Sequence, residues 1–225
     1  MKTLNFILVL TLFALFASIF SLQKLNLKYS EPFFLMGFRM FISGLILILY
    51  SILSKNIRAI KIKKIHIKFF IYLAIYNIYL NSIFEIWGLE NMISSKVCLI
   101  YSTSPFITAI ISFLILNEKL NIRKSIGIII GLFGLMPIIY FKSRIENLTL
   151  NLSLPEISVI LAVISSVLGW IYLKKIIKLG YSFIIANGIS MFLGGTLILF
   201  HSFVFGENWN ILPVKDWSYF IPLTI

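Results

Sequence analysis

The sequence predicts an all-α polytopic membrane protein: an inverted repeat of five-helix units, the second unit incomplete, with seven to eight of an expected ten spans present. Three observations carry this. Hydrophobic residues make up 60% of the 225-residue chain, charged residues 12%, and the mean hydropathy is +1.00. A soluble domain needs about 25% charged residues to cover its surface. The apolar stretches reach or approach the roughly 20 residues with which a helix crosses about 30 Å of hydrocarbon. They also recur with a constant offset of 151 residues.

The predicted spans are 4–22, 32–53, 69–89, 93–116, 125–141, 155–173 and 181–204, with an eighth starting near 217. They are too long for strands and lack alternating polarity. The first could pass for a signal peptide, but its apolar run is long for one and no small-x-small cleavage site follows, so it reads as a helix. In the third, Asn77, Asn81 and Glu85 recur every four residues within NIYLNSIFEIWGLE and form one stripe, because positions four apart on an α-helix drift by only about 40°. The fourth carries Ser94, Cys98, Tyr101, Pro105, Thr108 and Ser112 at spacings of three or four, and Pro105 predicts a kink that frees a carbonyl. Gly127-Ile-Ile-Ile-Gly131 is a GxxxG pattern that serves packing within the bundle or a homodimer. Ser153-Leu-Pro155-Glu156 fits a capped helix start before the sixth span. Trp87, Trp170, Trp209 and Trp217 read as interfacial belt residues.

The repeat places Met40-Phe41 over Met191-Phe192, Gly44 over Gly195 and Lys24 over Lys175, so that spans one and two fall on six and seven. A unit of five helices is odd, and its second copy threads the membrane in the opposite sense. The period also predicts further helices beyond Ile225, the counterpart of Ala74, which would make the chain a fragment or a truncated gene product.

A net charge of +12 fits nucleic-acid binding only where the cations gather on one surface. Here thirteen lysines and arginines fall in the loops on one side, six in the other loops, and Arg39 within a span. By the positive-inside rule the N-terminus is cytoplasmic, and nucleic acid is excluded as a partner. The basic loop Lys61 to Lys68 suits anionic lipid. Cys98 is the single cysteine, so neither an intramolecular disulfide nor a cysteine metal cluster is available, and no cofactor or metal site is expected. The sequons at Asn147 and Asn151 matter only in a secretory eukaryotic setting.

Charges inside a membrane mark a site or a structural partner. An acid at the centre of a spanning helix costs about 2.5–3.5 kcal/mol, so the stripe faces protein or a wet cavity. Asn77 and Asn81 serve either as interhelical glue or as substrate contacts. Arg39 keeps its proton and needs an anion; it pairs with Glu85 at similar depth, offers its fork to a substrate carboxylate, or snorkels. Tyr101 presents a hydroxyl or a ring to a ligand. Lys96 adds an outer positive gate or snorkels.

The stretch SPFITAIISFLILNEKLNIRKSIGIIIGLFGL, residues 104–135, resembles the EamA-like family of the drug/metabolite transporter superfamily. Pro105 takes the proline position of its fourth helix, Glu118-Lys119-Leu120 the loop, and Gly127, Gly131 and Gly134 the spaced glycines of the fifth helix; Asn117 and Asn121 depart from the usual glycine and Ser/Thr. The resemblance covers 3–142 as a first repeat and 154–225 more weakly as a second, truncated in its third helix. It implies ten spans, cytoplasmic termini, a bacterial inner (cell) membrane, and carrier-type transport of a small metabolite by alternating access. Residues 87–106 look similar to versions in bacteria living inside host cells, some of which import S-adenosylmethionine; the metabolite expected is amino acid-like or S-adenosylmethionine-like. A membrane enzyme would need clustered His, Cys or carboxylates near an interface, whereas His66 and His201 fall on opposite sides and the acids are scattered. A non-transporting remnant, or a half-assembly that needs a partner, is the alternative reading.

Overall fold

A computed structural model describes residues 2–54, 62–116, 126, 127, 129–131, 133 and 153–209. These residues are helical, with no strand among them. Helix α1 spans Lys2–Asn26 and α2 spans Pro32–Leu53. Helix α3, Lys64–Asn91, is composite: a 3-10 turn (Lys64–His66), an α segment (Ile67–Leu73), a π segment (Ala74–Leu80) and a second α segment (Asn81–Asn91). Helix α4 is broken into Ser94–Tyr101 and Ser104–Leu116. Helix α5 is Leu154–Lys178 and α6 is Phe183–Val204. Five of these, α2 to α6, are long and apolar enough to cross a membrane. Glu118, Gly134, Trp217 and the eighth predicted span lie outside the described residues.

Local chemistry sets the boundaries. Pro32 opens α2 where its missing N–H has no helical partner to lose. Ser153 and Glu156 form a reciprocal capping box on α5, with the Ser153 N–H donating to Glu156 at 2.7 Å. Gly180 and Gly206 end α5 and α6 in the left-handed region (φ +88° and +71°). The next N–H then reaches back five residues, from Tyr181 to the Ile176 carbonyl and from Glu207 to that of Ser202.

Two elements differ from the sequence expectation. Pro105 breaks the fourth helix outright: the chain turns at Ser102–Thr103, because Pro105 cannot donate to the Tyr101 carbonyl and its ring crowds that turn. The Ser102 hydroxyl donates to the Leu99 carbonyl at 2.5 Å, and the Ile100 carbonyl accepts both the Thr103 N–H at 3.0 Å and the Thr103 hydroxyl at 2.6 Å. The π segment in α3 was not expected. It lies where the Asn77 backbone presses on α5 at Gly169, whose missing side chain makes the approach possible.

Helix α5, half buried, is the central element, flanked by α3 and the two halves of α4. Lipid is as apolar as leucine, so close packing rather than the hydrophobic effect joins these helices. The tightest contact is α2 on α6. A Cβ on Gly195 would sit 2.5 Å from the Phe41 nitrogen, one on Gly37 would sit 2.9 Å from that of Leu199, and Gly44 meets the Phe192 backbone. Gly188 takes Leu47 and Ile48. Gly37 and Gly188 share the same 151-residue offset as Gly44 and Gly195, and the rings of Phe41 and Phe192, also so related, sit 5.0 Å apart.

The helix ends sort into two groups. At one end Lys24 donates to the carbonyls of Leu89 and Glu90 (2.7 Å each), Lys96 pairs with Glu156 at 3.0 Å, and Glu207 accepts the N–H groups of Phe33 and Phe34 at 3.1 and 2.7 Å. At the other, Tyr181 joins His66 (2.8 Å) and the Lys63 N–H (3.2 Å), and Lys175 lies over Tyr172. Lys24 and Lys175 therefore occupy opposite ends. Lys96, expected to gate or snorkel, instead ties α4 to α5 through the capping carboxylate.

Candidate functional site

The site forms where α1, α2, α3 and the first half of α4 meet, toward the Lys24 end. Arg39 lies seven residues into α2 and Glu85 six residues before the end of α3, each about 10 Å along its helix at 1.5 Å per residue. Both apolar stretches form helices whose remaining residues satisfy lipid and neighbours, so each helix brings in one charge.

Arg39 and Glu85 form no direct ion pair. Gln23 of α1, 2% exposed, stands between them. With its amide oriented to serve both, its oxygen accepts from the Arg39 guanidinium at 2.9 and 3.3 Å and its nitrogen donates to Glu85 Oε1 at 3.3 Å. The other Glu85 oxygen lies 2.7 Å from Tyr101 Oη, which also lies 2.9 Å from Asn81 Oδ1. One hydroxyl proton cannot serve two acceptors. Either the Asn81 amide turns its nitrogen toward Oη, or Glu85 carries a proton. The Tyr101 ring is held by Phe20 of α1, with centroids 5.0 Å apart.

A chain Arg39–Gln23–Glu85–Tyr101–Asn81 thus crosses four helices. It is a neutral-amide bridge between two opposite charges, and its carboxylate is buried at 8% exposure. Such an arrangement can receive a molecule with one positive and one negative group, because each protein charge is held by an exchangeable hydrogen bond rather than closed onto the other.

Four of the five proposed binding residues, Arg39, Asn81, Glu85 and Tyr101, are brought together. Asn77 is not: it lies eight residues, about 12 Å, from Glu85 along α3, against Gly169, and its amide has no hydrogen bond among the described residues. Gln23 was missed. The predicted first span stopped at residue 22, one short of Gln23, whereas α1 continues to Asn26. An amide one position past an apolar run was the available signal. Of the glycines carried by the family resemblance, Gly131 faces the Phe106 ring and Gly127 meets nothing within 4 Å among the described residues. Trp209 does not simply line an interface: it stacks on Phe34 and donates to the Ser202 hydroxyl at 3.2 Å.

Helices long and apolar enough to cross a membrane, enclosing a buried charged network, mark an integral membrane protein. The chain belongs to the EamA-like transporter family, whose model matches residues 3–140. It is 30% identical over 206 residues to the S-adenosylmethionine/S-adenosylhomocysteine transporter of Chlamydia muridarum, covering 90% of this chain and 64% of that protein. The transporter of the same name in Chlamydia trachomatis is 30% identical, covering 90% and 62%. An uncharacterized transporter of Bacillus subtilis, YoaV, is 26% identical over 197 residues, covering 88% and 64%. The chain therefore spans just under two thirds of the length of these relatives. One protein of known crystal structure shares the fold with a TM-score of 0.59 at 16% identity, over 93% of this chain and 72% of its own.

Proposed function

We propose that this chain acts in secondary, carrier-type transport of a small zwitterionic metabolite across the bacterial inner membrane by alternating access, with S-adenosylmethionine and S-adenosylhomocysteine as the substrate class. The observation that carries the reading is the bridged pair Arg39–Gln23–Glu85 inside a bundle of spanning helices. A substrate carboxylate takes the Arg39 fork and its ammonium takes Glu85, displacing the Gln23 bonds. The naming of the chlamydial relatives supports the substrate class.

The reading includes an inverted repeat, with 3–142 as the first five-helix unit and 154–225 belonging to the second. The opposite placement of Lys24 and Lys175, and glycines at one offset on the antiparallel α2–α6 pair, support it. The Lys24 end faces outward in this scheme and the N-terminus is cytoplasmic, in keeping with the lysines at 63, 64, 68, 174, 175 and 178 around the other end.

The test is uptake of radiolabelled S-adenosylmethionine into cells expressing the chain. Arg39→Ala and Glu85→Gln are expected to lower uptake at least tenfold while the protein stays in the membrane. Uptake equal to the unmodified chain in both variants refutes the site.

A further inference from the structure

Away from the buried network, a cavity of about 380 Å3 opens between the second half of α4, the last turns of α5 and the start of α6. Its lining is charged at one end only. Val167, Ile171 and Leu173 form a buried apolar floor, and Trp170, Ile177 and Phe183 form exposed apolar walls. Lys174 and Lys178 stand at the end, Lys178 being the last residue of α5. Lys178 has no ion pair among the described residues, and none of the described carboxylates lines the cavity. Of the two hydroxyls present, that of Thr108 donates to the Ser104 carbonyl at 2.7 Å, within its own helix. The cavity thus offers cations at one end and hydrocarbon along the rest. A zwitterionic metabolite would meet an anion site there and nothing for its ammonium, which sets this cavity apart from the Arg39–Gln23–Glu85 network.

We infer that this groove holds one anionic phospholipid of the inner leaflet, its phosphate at Lys174 and Lys178 and an acyl chain laid along α5; only the leaflet it names rests on the transport reading above. The dimensions suit a lipid. From Lys178 back to Val167 the wall runs about 16 Å along α5 at 1.5 Å per residue. One leaflet of the hydrocarbon core is about 15 Å thick. Val167, Trp170, Lys174 and Lys178 recur every three or four residues, so one face of the helix is apolar for the depth of a leaflet and cationic at headgroup level. Basic pockets between spanning helices on the cytoplasmic side capture anionic headgroups. A soluble anion would use the lysines and leave the apolar wall unfilled. Lys175, on another face of α5, lies over the Tyr172 ring instead and does not line the groove.

The experiment titrates purified full chain in neutral detergent with phosphatidylglycerol or phosphatidylcholine of matched acyl chains and counts bound lipid by native mass spectrometry. Phosphatidylglycerol is expected to bind more tightly by about fivefold for each lysine, hence roughly twenty-five-fold for two. Lys178→Gln should lower that preference about fivefold. Lys175→Gln removes the same charge from the same turn and should leave the preference within about twofold of the starting protein. Lys178→Arg should retain it and reports on folding. Equal binding of the two lipids, equal losses in Lys178→Gln and Lys175→Gln, or displacement of phosphatidylglycerol by glycerol 3-phosphate at the same concentration overturns the lipid site. The titration needs neither uptake nor a fixed orientation, so failure of the transport reading shows separately, as uptake indifferent to Arg39→Ala.

Discussion

Gln23→Leu removes the link between the two charges and keeps the side-chain volume. The change leaves two Arg39 N–H groups, at 2.9 and 3.3 Å in the native network, and one Glu85 oxygen, at 3.3 Å, without a partner. A buried polar group deprived of its partner costs about 1–3 kcal/mol, more when charged. Arg39 is half-buried, so its share falls toward the lower end, and about 3 kcal/mol in all is expected. For a chain of this size each kcal/mol moves the unfolding midpoint by roughly 2–4 °C, so the midpoint in detergent should drop by roughly 6–12 °C. The assay is thermal unfolding of purified protein, read by size-exclusion fluorescence. In an Arg39→Leu background the same change should cost less by about 1–2 kcal/mol, because the guanidinium donors are already gone. A shift under about 2 °C, or costs that add independently, refutes the bridge: Arg39 would then be closing directly onto Glu85 or reaching water.

Two further perturbations probe the network and the frame around it. Tyr101→Phe removes the hydroxyl shared by Asn81 and Glu85 and should lower stability by about 1–2 kcal/mol in the same unfolding assay. Adding Asn81→Ala should then cost little more, and a full additional loss would show that Asn81 acts elsewhere. Gly195→Ala drives a methyl into the Phe41 backbone and should cost about 1–3 kcal/mol by forcing α2 and α6 apart. Gly127→Ala, with nothing within 4 Å among the described residues, should be neutral or gain up to about 1 kcal/mol from helix propensity. Equal losses at the two glycines would contradict the close α2–α6 approach.

Much of the frame was legible from hydropathy. The predicted 32–53 matches Pro32–Leu53 residue for residue, and 181–204 differs from Phe183–Val204 only at its start. The Ser153–Glu156 cap was readable because both partners lie within one turn. Arg39 and Glu85 stood out because charges are rare in runs meant for lipid, so their importance needed no tertiary information. What joins them did need it. Gln23 approaches Arg39 from sixteen positions away and Glu85 from sixty-two, on a different helix from either, and no local pattern encodes that meeting. The π segment escaped for the same reason: it lies where Asn77 meets Gly169 on α5, a contact across the helix interface. Pro105 was recognised as a disturbance, but whether it kinks or breaks a helix depends on which local groups take over the freed carbonyls, as the Ser102 hydroxyl does for Leu99 and the Thr103 N–H for Ile100.

The transport account depends on the two helix sets threading the membrane in opposite senses. Lys28 and Lys175 are both exposed, and they lie at opposite ends of the bundle. Replace each singly, Lys28→Cys and Lys175→Cys, in a Cys98→Ser background, and treat intact cells with a membrane-impermeant thiol reagent. The account predicts that position 28 is labelled from outside, and position 175 only after the membrane is opened. Labelling of both from the same side would contradict it.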